Sequence, residues 1–255
     1  MKAYVSLDTQ TYEKKPEGKE IVSSKYRSIS NWTEIEVSEL ADAVGNGGTA
    51  MIPARLEGGI AEKNCRGMQV LALDFDDESR FEDIKQYCDS KEVMLPISFA
   101  YHTYSSSEEQ ERFRIVFIFE YLIEDIYALK VILDMLYRIF PQCDAHCKNL
   151  DRLFLGGKKL IYLDTSARIT WVQLLFSFYN KMEKQNNGKR KLSNFCEKHE
   201  IFMFNKFPAI GPISLLSSYD DIMDSVIIHR IGESIKSSFF ILEKKIRCTK
   251  TTRAL

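Results

Sequence analysis

The 255-residue sequence predicts an α+β fold, an antiparallel or mixed sheet with helices packed on one face. Three observations lead there. From residue 69 the periodic segments run β-α-β-β-α-β-β. The first of them, QVLALDF (69–75), is apolar on both faces and too short for a helix of its own, the mark of a central strand. Two β-rich runs, PISFAYHTY (96–104) and RFRIVFIF (112–119), flank the polar stretch SSSEEQE and read as a hairpin. With 45% hydrophobic residues the chain can bury a substantial core.

In chain order, residues 1–32 read as an irregular or strand-bearing lead-in. A helix is predicted from Thr33, where Thr33-x-x-Glu36 has the capping-box pattern and Val37, Leu40, Ala41 and Val44 follow at helical spacing. Gly45, Asn46, Gly47 and Gly48 stop it. After the strand at 69–75, a second capping box, Ser79-x-x-Glu82, opens a helix with Phe81, Ile84 and Cys88 on one side. Beyond the hairpin, Ile126, Leu129, Leu133, Leu136 and Phe140 mark a long amphipathic helix closed by Pro141. RLFLGG (152–157) and KLIYL (159–163) read as two short strands around a Gly-Gly turn. Further on, ITWVQLLFSFYNKM suggests a helix, EKQNNGKRK (183–191) a polar linker, and Leu192, Phe195, Cys196 and His199 another helix. The basic C-terminal residues look frayed. The organisation expected is one α/β domain over 1–165 and a mostly helical appendage over 166–255.

The net charge of −1 supplies no global basic field, so any nucleic-acid binding rests on local patches. Six cysteines scattered through the chain fit reduced thiols better than a disulfide scaffold. The start, MKAYVSLDTQTYEKK, turns polar at once, and no apolar run approaches the roughly 18–20 residues a membrane helix needs. The expectation is a cytoplasmic protein with no membrane partner.

The chemistry centres on Asp74 and Asp76. Alternation along a strand puts both on one face, about 6.6 Å apart along the chain. At the end of a buried run two carboxylates repel, by up to about 4 kcal/mol if their oxygens approach to about 4 Å at an effective dielectric near 20. A divalent cation reverses that sign, and Mg²⁺ is usually held by one or two carboxylates together with substrate phosphates. The plainer reading is a solvated strand end where Asp76, Asp77 and Glu78 cap the next helix. Downstream, however, Arg112 and Arg114 share a face of the hairpin, and CDAHCKNLDRLFLGGKK supplies Asp144, Asp151, Arg152, Lys158 and Lys159. Carboxylates to hold metal ions and Arg or Lys to neutralise triphosphate oxygens are what phosphoryl transfer requires.

With those residues in view, the chain resembles the archaeo-eukaryotic primase superfamily, and most nearly the primase-like replication proteins of bacterial phages, plasmids and integrative elements. The similarity runs over roughly residues 30–165, about half the chain. LALDFDD resembles the first motif, a strand ending in D-x-D. YHTYSSSEEQERFRIVF resembles the second, a Thr/Ser-rich strand end, an acidic turn and an R-x-R strand. CDAHCKNLDRLFLGG resembles the third. The resemblance implies an RRM-like primase-polymerase core at about 66–165 behind a smaller N-terminal α/β module. It also implies template-directed nucleotidyl transfer with Mg²⁺ or Mn²⁺. By those motifs Asp74, Asp76 and Asp144 would be the catalytic, metal-holding acids. Ser105, Ser106, Arg112, Arg114, Arg152 and Lys158 would face the nucleotide. Asp151 is the alternative third acid; it abuts Arg152 at a strand start, which favours Asp144. One departure stands out. The register that keeps R-F-R aligned puts Ser106 where many members have a phosphate-contacting His, and His102, four residues earlier, lies about 13 Å away along an extended strand.

Other signals are weaker. Cys143, His146 and Cys147 form C-x-x-H-C, but zinc needs a second ligand pair that is not placed at short spacing. There is no Gly-x-Ser-x-Gly elbow and no Walker loop, so a helicase step would come from a separate replication protein. Phe99, Tyr101, Tyr104 and Phe117 could stack bases as in RRM-type sheets, although at strand spacing such residues are more often core. The expected function is that of a primase-like nucleotidyltransferase acting on a single-stranded DNA template and (d)NTPs in mobile-element replication. The alternatives are a catalytically weakened primase-fold DNA-binding or replication-initiation protein, and a metal-dependent nuclease.

Overall fold

The computed structural model describes residues 1–184, 202–203 and 228–229. The chain divides into two compact units, Met1–Lys181 and Met182–Leu255. The described part of the second unit includes the antiparallel two-residue strands Phe202–Met203 and Ile228–His229. The expected linker beyond Lys184, the helix at 192–199 and the basic C-terminal residues lie outside the described residues. No helix among the described residues is long and apolar enough to cross a membrane.

The first unit is α+β with two antiparallel sheets. The smaller joins β1 (Lys2–Leu7) to β2 (Trp32–Glu36) on one side and β3 (Met51–Ile52) on the other. Between β1 and β2 runs α1 (Lys19–Ile29), where the sequence predicts only a lead-in. This helix buries Ser24 and Ser28 rather than an apolar stripe, so no hydrophobic period announces it. Arg27 on α1 reaches the buried Asp8 through Nε at 2.6 Å and Nη2 at 2.9 Å.

The capping-box reading at Thr33 is corrected. Thr33 and Glu36 belong to β2, with Thr33 opposite Val5, and α2 (Val37–Gly45) starts only after them, with no side-chain cap. Pairing along β1 outcompetes the local cap. The predicted apolar face is real: Val37, Leu40, Ala41 and Val44 are all buried.

The larger sheet has the order β4-β5-β7-β6-β8, with β4 Ala54–Leu56, β5 Cys65–Phe75, β6 Phe99–Thr103, β7 Phe113–Ile123 and β8 Gly157–Leu163, antiparallel throughout. β5 is the predicted central strand, and β6 and β7 the predicted hairpin strands. The unit β5, α3 (Phe81–Asp89), β6, with β7 lying between the two strands, is a split β-α-β arrangement. The last strand departs from an RRM-like order: the edge of β5 is taken by β4, and β8 pairs with β6. Of the two short strands predicted at 152–163 only β8 forms, while Phe154 makes an isolated bridge to Met51.

One face of this sheet is an aromatic core. Phe75 stacks on Phe113 at 5.0 Å, Phe81 of α3 meets Phe113 edge-on at 5.8 Å, and Phe140 lies 6.0 Å from Phe117. Phe140 closes α4 (Ile126–Ile139), whose Asp125 caps it through Tyr127 and Ala128 N–H. The second capping box is also corrected. Ser79 makes no cap, and the Phe81 N–H at the start of α3 donates to Glu111 Oε2 from the hairpin turn at 3.0 Å. ITWVQLLFSFYNKM forms the predicted helix, α5 (Trp171–Glu183).

After α4 the chain crosses the opposite sheet face between Asp144 and Gly157. Two glycines let it lie close. A Cβ at Gly156 would come 2.2 Å from the Gly48 carbonyl carbon, and one at Gly157 2.2 Å from the His102 oxygen. Gly48 itself has φ +70, and a Cβ there would meet Tyr12 O at 2.1 Å. The Gly-Gly signal therefore reports close backbone packing rather than a turn between two strands. Gly156→Ala should cost about 1–3 kcal/mol or more, since backbone must shift. Gly45→Ala should cost less, because its Cβ would meet Leu160, largely at side-chain atoms, at 3.1–3.2 Å. Paired thermal melts of the two variants check the ranking.

Candidate active site

The ladder register builds the site. Asp74 on β5 lies opposite Arg114 on β7, and Arg114 opposite Tyr101 on β6, so all three share the face away from the aromatic core. Asp74 is 2% exposed, and its Oδ2 accepts from Arg114 Nη2 at 2.9 Å. Arg114 Nη1 donates to the Leu155 carbonyl of the crossing segment and lies 3.4 Å from Tyr101 Oη. Its guanidinium sits 5.5 Å from the Phe154 ring centroid. Burial works against the charge on Arg114, but Asp74 and Tyr101 outweigh it and hold the guanidinium firmly protonated.

The third acid is brought in by backbone. The Asp144 N–H donates to the Asp74 carbonyl at 2.9 Å, seating the start of the crossing segment on the end of β5. Asp144 Oδ1 accepts from the His146 N–H at 3.0 Å and faces His146 Nδ1 at 2.8 Å. Its Oδ2 accepts from Arg152 Nη2 at 3.0 Å, and the same Nη2 lies 3.9 Å from Asp74 Oδ2. Burial would raise the Asp144 pKa, but His146 and then Arg152 more than offset it, so the carboxyl is held below the usual carboxylate range. Asp151 forms none of these contacts.

Asp76 follows the last residue of β5 and is exposed as a residue. Partial desolvation of its carboxyl, then the negative charge of Asp74, push its pKa up, with a further push from Asp144 and opposition from Arg114 and Arg112. The three acids are thus neighbours in one electrostatic field.

The remaining predicted residues fall into two groups. Arg112, immediately before β7, donates from Nη2 to Gln110 at 3.0 Å and leaves its buried Nε without a partner. Ser106 has a turn role: its Oγ accepts the Arg112 N–H at 3.1 Å. Ser105 in the same turn and Lys158 on β8 are exposed. His102 faces the aromatic side, opposite Phe113, and pairs with Glu111 Oε1 at 2.9 Å. Cys143 and Cys147 are buried thiols, each pushed up to about 12 by desolvation, and they flank Asp144 without forming a zinc set with the exposed His146.

The chain's own guanidiniums neutralise part of the acid crowding, and Arg114, the residue expected to face the triphosphate, is buried and paired with Asp74. The period-two match of Asp74/Asp76 with Arg112/Arg114 on adjoining antiparallel strands was the available signal. Phe154 and the Leu155 carbonyl had no sequence signal of their own, while Tyr101, read there as core or as a base-stacking ring, is fully buried beside Arg114.

Among the described residues no three His, Cys, Asp or Glu side chains are already gathered to hold a metal ion. The donor set nevertheless fits a hard divalent cation. All three groups are carboxylates, and Asp74 Oδ1 is buried with no hydrogen-bond partner. Thr103 Oγ1 and the Nε atoms of Arg112 and Arg114 are likewise buried and unpaired.

No family model matches the chain, and no curated protein sequence matches it. Among solved structures, the AEP domain of the primase-polymerase of cyanophage S-2L is similar at a TM-score of 0.38 and 11% identity, over 58% of this chain and 79% of that one. A likeness of that degree fixes neither a shared fold nor a shared activity.

Removing one partner of the buried pair leaves the other charge stranded. Arg114→Met should destabilise the protein by about 3–5 kcal/mol, and Asp74→Asn in the same chain should recover a large part of it. Denaturant titration of the two singles and the double measures this. For Asp76 the sign is opposite. Its raised folded-state pKa means the native state binds more protons than the unfolded chain, so stability falls as pH rises above the ordinary value of 3.8. Asp76→Asn should therefore raise the melting temperature at pH 7 and change nothing at pH 3.

Proposed function

We propose that this chain is a primase-like nucleotidyltransferase that uses a divalent metal, Mg²⁺ or Mn²⁺, to join (d)NTPs on a single-stranded DNA template. The supporting observation is the Asp144 N–H on the Asp74 carbonyl at 2.9 Å, with Asp74 Oδ1 buried and unpaired and Asp76 within the electrostatic reach of both acids. A bound cation would lower the pKa of an attacking hydroxyl and neutralise a leaving pyrophosphate.

The chain's own residues have separable tasks. Asp74 and Asp144, fixed by strand and backbone, are the positioned ligands, and Asp76 at the strand end completes the set. Arg114, locked by Leu155 and Tyr101, keeps the Asp74 carboxylate oriented rather than reaching substrate. Arg152 and Arg112, both only partly buried, are the groups that would turn to triphosphate oxygens, with Ser105, Ser106 and Lys158 at the rim. Replication of a phage, plasmid or other mobile element, with a separate helicase or replication protein, is the setting this activity implies.

A second reading draws on Arg114. A buried counter-ion at the first acid suits a primase-fold protein that binds DNA or initiates replication with weakened chemistry. A primer-synthesis assay on single-stranded template separates the two. The enzyme should incorporate labelled nucleotide only with Mg²⁺ or Mn²⁺, and Asp76→Ala or Asp144→Asn should lower incorporation at least about a hundredfold. Template degradation without incorporation would select a nuclease instead. DNA binding with neither outcome would select the weakened form.

A further inference from the structure

We infer that Arg152 is a displaceable internal cation, occupying the space between Asp74 and Asp144 that a divalent ion takes when the site is charged. The inference rests on the proposed metal-dependent reading and adds a regulatory step to it. Two arginines form ion pairs with Asp74 and Asp144, and they are built differently. Arg114 is buried, with bonds to Asp74, Leu155 and Tyr101, and it sits on a strand. Its side chain is 11% exposed. Arg152 sits on the irregular crossing segment with its side chain 28% exposed, and it touches the acids through a single nitrogen, Nη2, at 3.0 Å from Asp144 Oδ2 and 3.9 Å from Asp74 Oδ2.

That one nitrogen bridges carboxylates from two different parts of the chain, which is the geometric job of a shared metal ion. Asp74 Oδ1 beside it is buried and bonded to nothing. The charges agree. Asp74, Asp76 and Asp144 face Arg112, Arg114 and Arg152, so the resting site is neutral and has little pull on a free cation. Swinging Arg152 out leaves a net negative pocket and a guanidinium at its rim. A triphosphate is the ligand that draws it there, since guanidinium pairs bidentately with phosphate oxygens. Nucleotide and metal would then load together, and the metal-free site would stay closed to stray divalent ions.

Mn²⁺ binding by the full chain, followed through the loss of the free-ion electron paramagnetic resonance signal in the absence of nucleotide, tests this without any measure of turnover. Arg152→Gln should bind Mn²⁺ about tenfold or more tightly than the wild type, because one unit of opposing charge within contact distance is gone. Lys159→Gln removes the same charge from the exposed β8 edge, in register with His102 on the other face, and should leave the affinity unchanged. Arg152→Lys, which keeps the charge, should stay near the wild type and serves if the Gln variant fails to fold. Equal Mn²⁺ affinity in wild type and Arg152→Gln, both folded and both binding, overturns the inference and leaves the metal-dependent reading standing. The inference is equally overturned if Arg152→Lys is the variant that must be used and it binds about tenfold more tightly. Absence of Mn²⁺ binding in every form, with or without a non-hydrolysable dNTP, overturns both.

Discussion

The buried ion pair between Asp74 and Arg114 is the constraint from which the rest of the site follows. An acid at 2% exposure has to be neutralised, and a strand neighbour in direct register does so at 2.9 Å. Once Arg114 is committed, its remaining donors need acceptors. The Leu155 carbonyl supplies one, and this pins the crossing segment to the sheet. The Asp144 N–H on the Asp74 carbonyl pins the other end. One anchor on Arg114 and one on the Asp74 main chain thus bring Asp144 and Arg152 into place, although neither belongs to a regular element of the sheet.

The two faces of the sheet divide the labour. Helices α3 and α4 cover the side of Phe75, Phe113 and Phe117, where packing is aromatic. The other side collects polar atoms at the strand ends, several of them buried without partners. Such groups cost free energy unless a ligand or water satisfies them, so the stability given up is concentrated on this one face. Asp76 shows the same tension, as its carboxyl is held in a field that disfavours its charge.

Much of this was legible beforehand, for identifiable reasons. β5, the hairpin and α4 announce themselves because their apolar patterns are unbroken. Strand alternation put Asp74 and Asp76 on one face, and the downstream arginines and acids made that pair a candidate site. What stayed hidden was set by tertiary partners. α1 buries serines, Thr33 and Glu36 pair into β2 instead of capping, and α3 is capped by Glu111, thirty residues distant. The pairing of Arg114 with Asp74 was hidden as well, because a sequence shows charge but not strand register. The strand order of the last β segment was equally out of reach, since only the close approach of glycine backbones explains the path to β6.

That approach has a kinetic side. The Met51–Phe154 bridge and the Gly48–Gly156 contact join segments roughly a hundred residues apart. Contacts of such long span have to wait for the intervening chain to order, because closing a large loop early loses entropy before anything rewards it. The acids and arginines would accordingly assemble near the end of folding, after the aromatic face has condensed, so a nascent chain would hold a hydrophobic core well before Asp74, Asp144 and Arg152 meet.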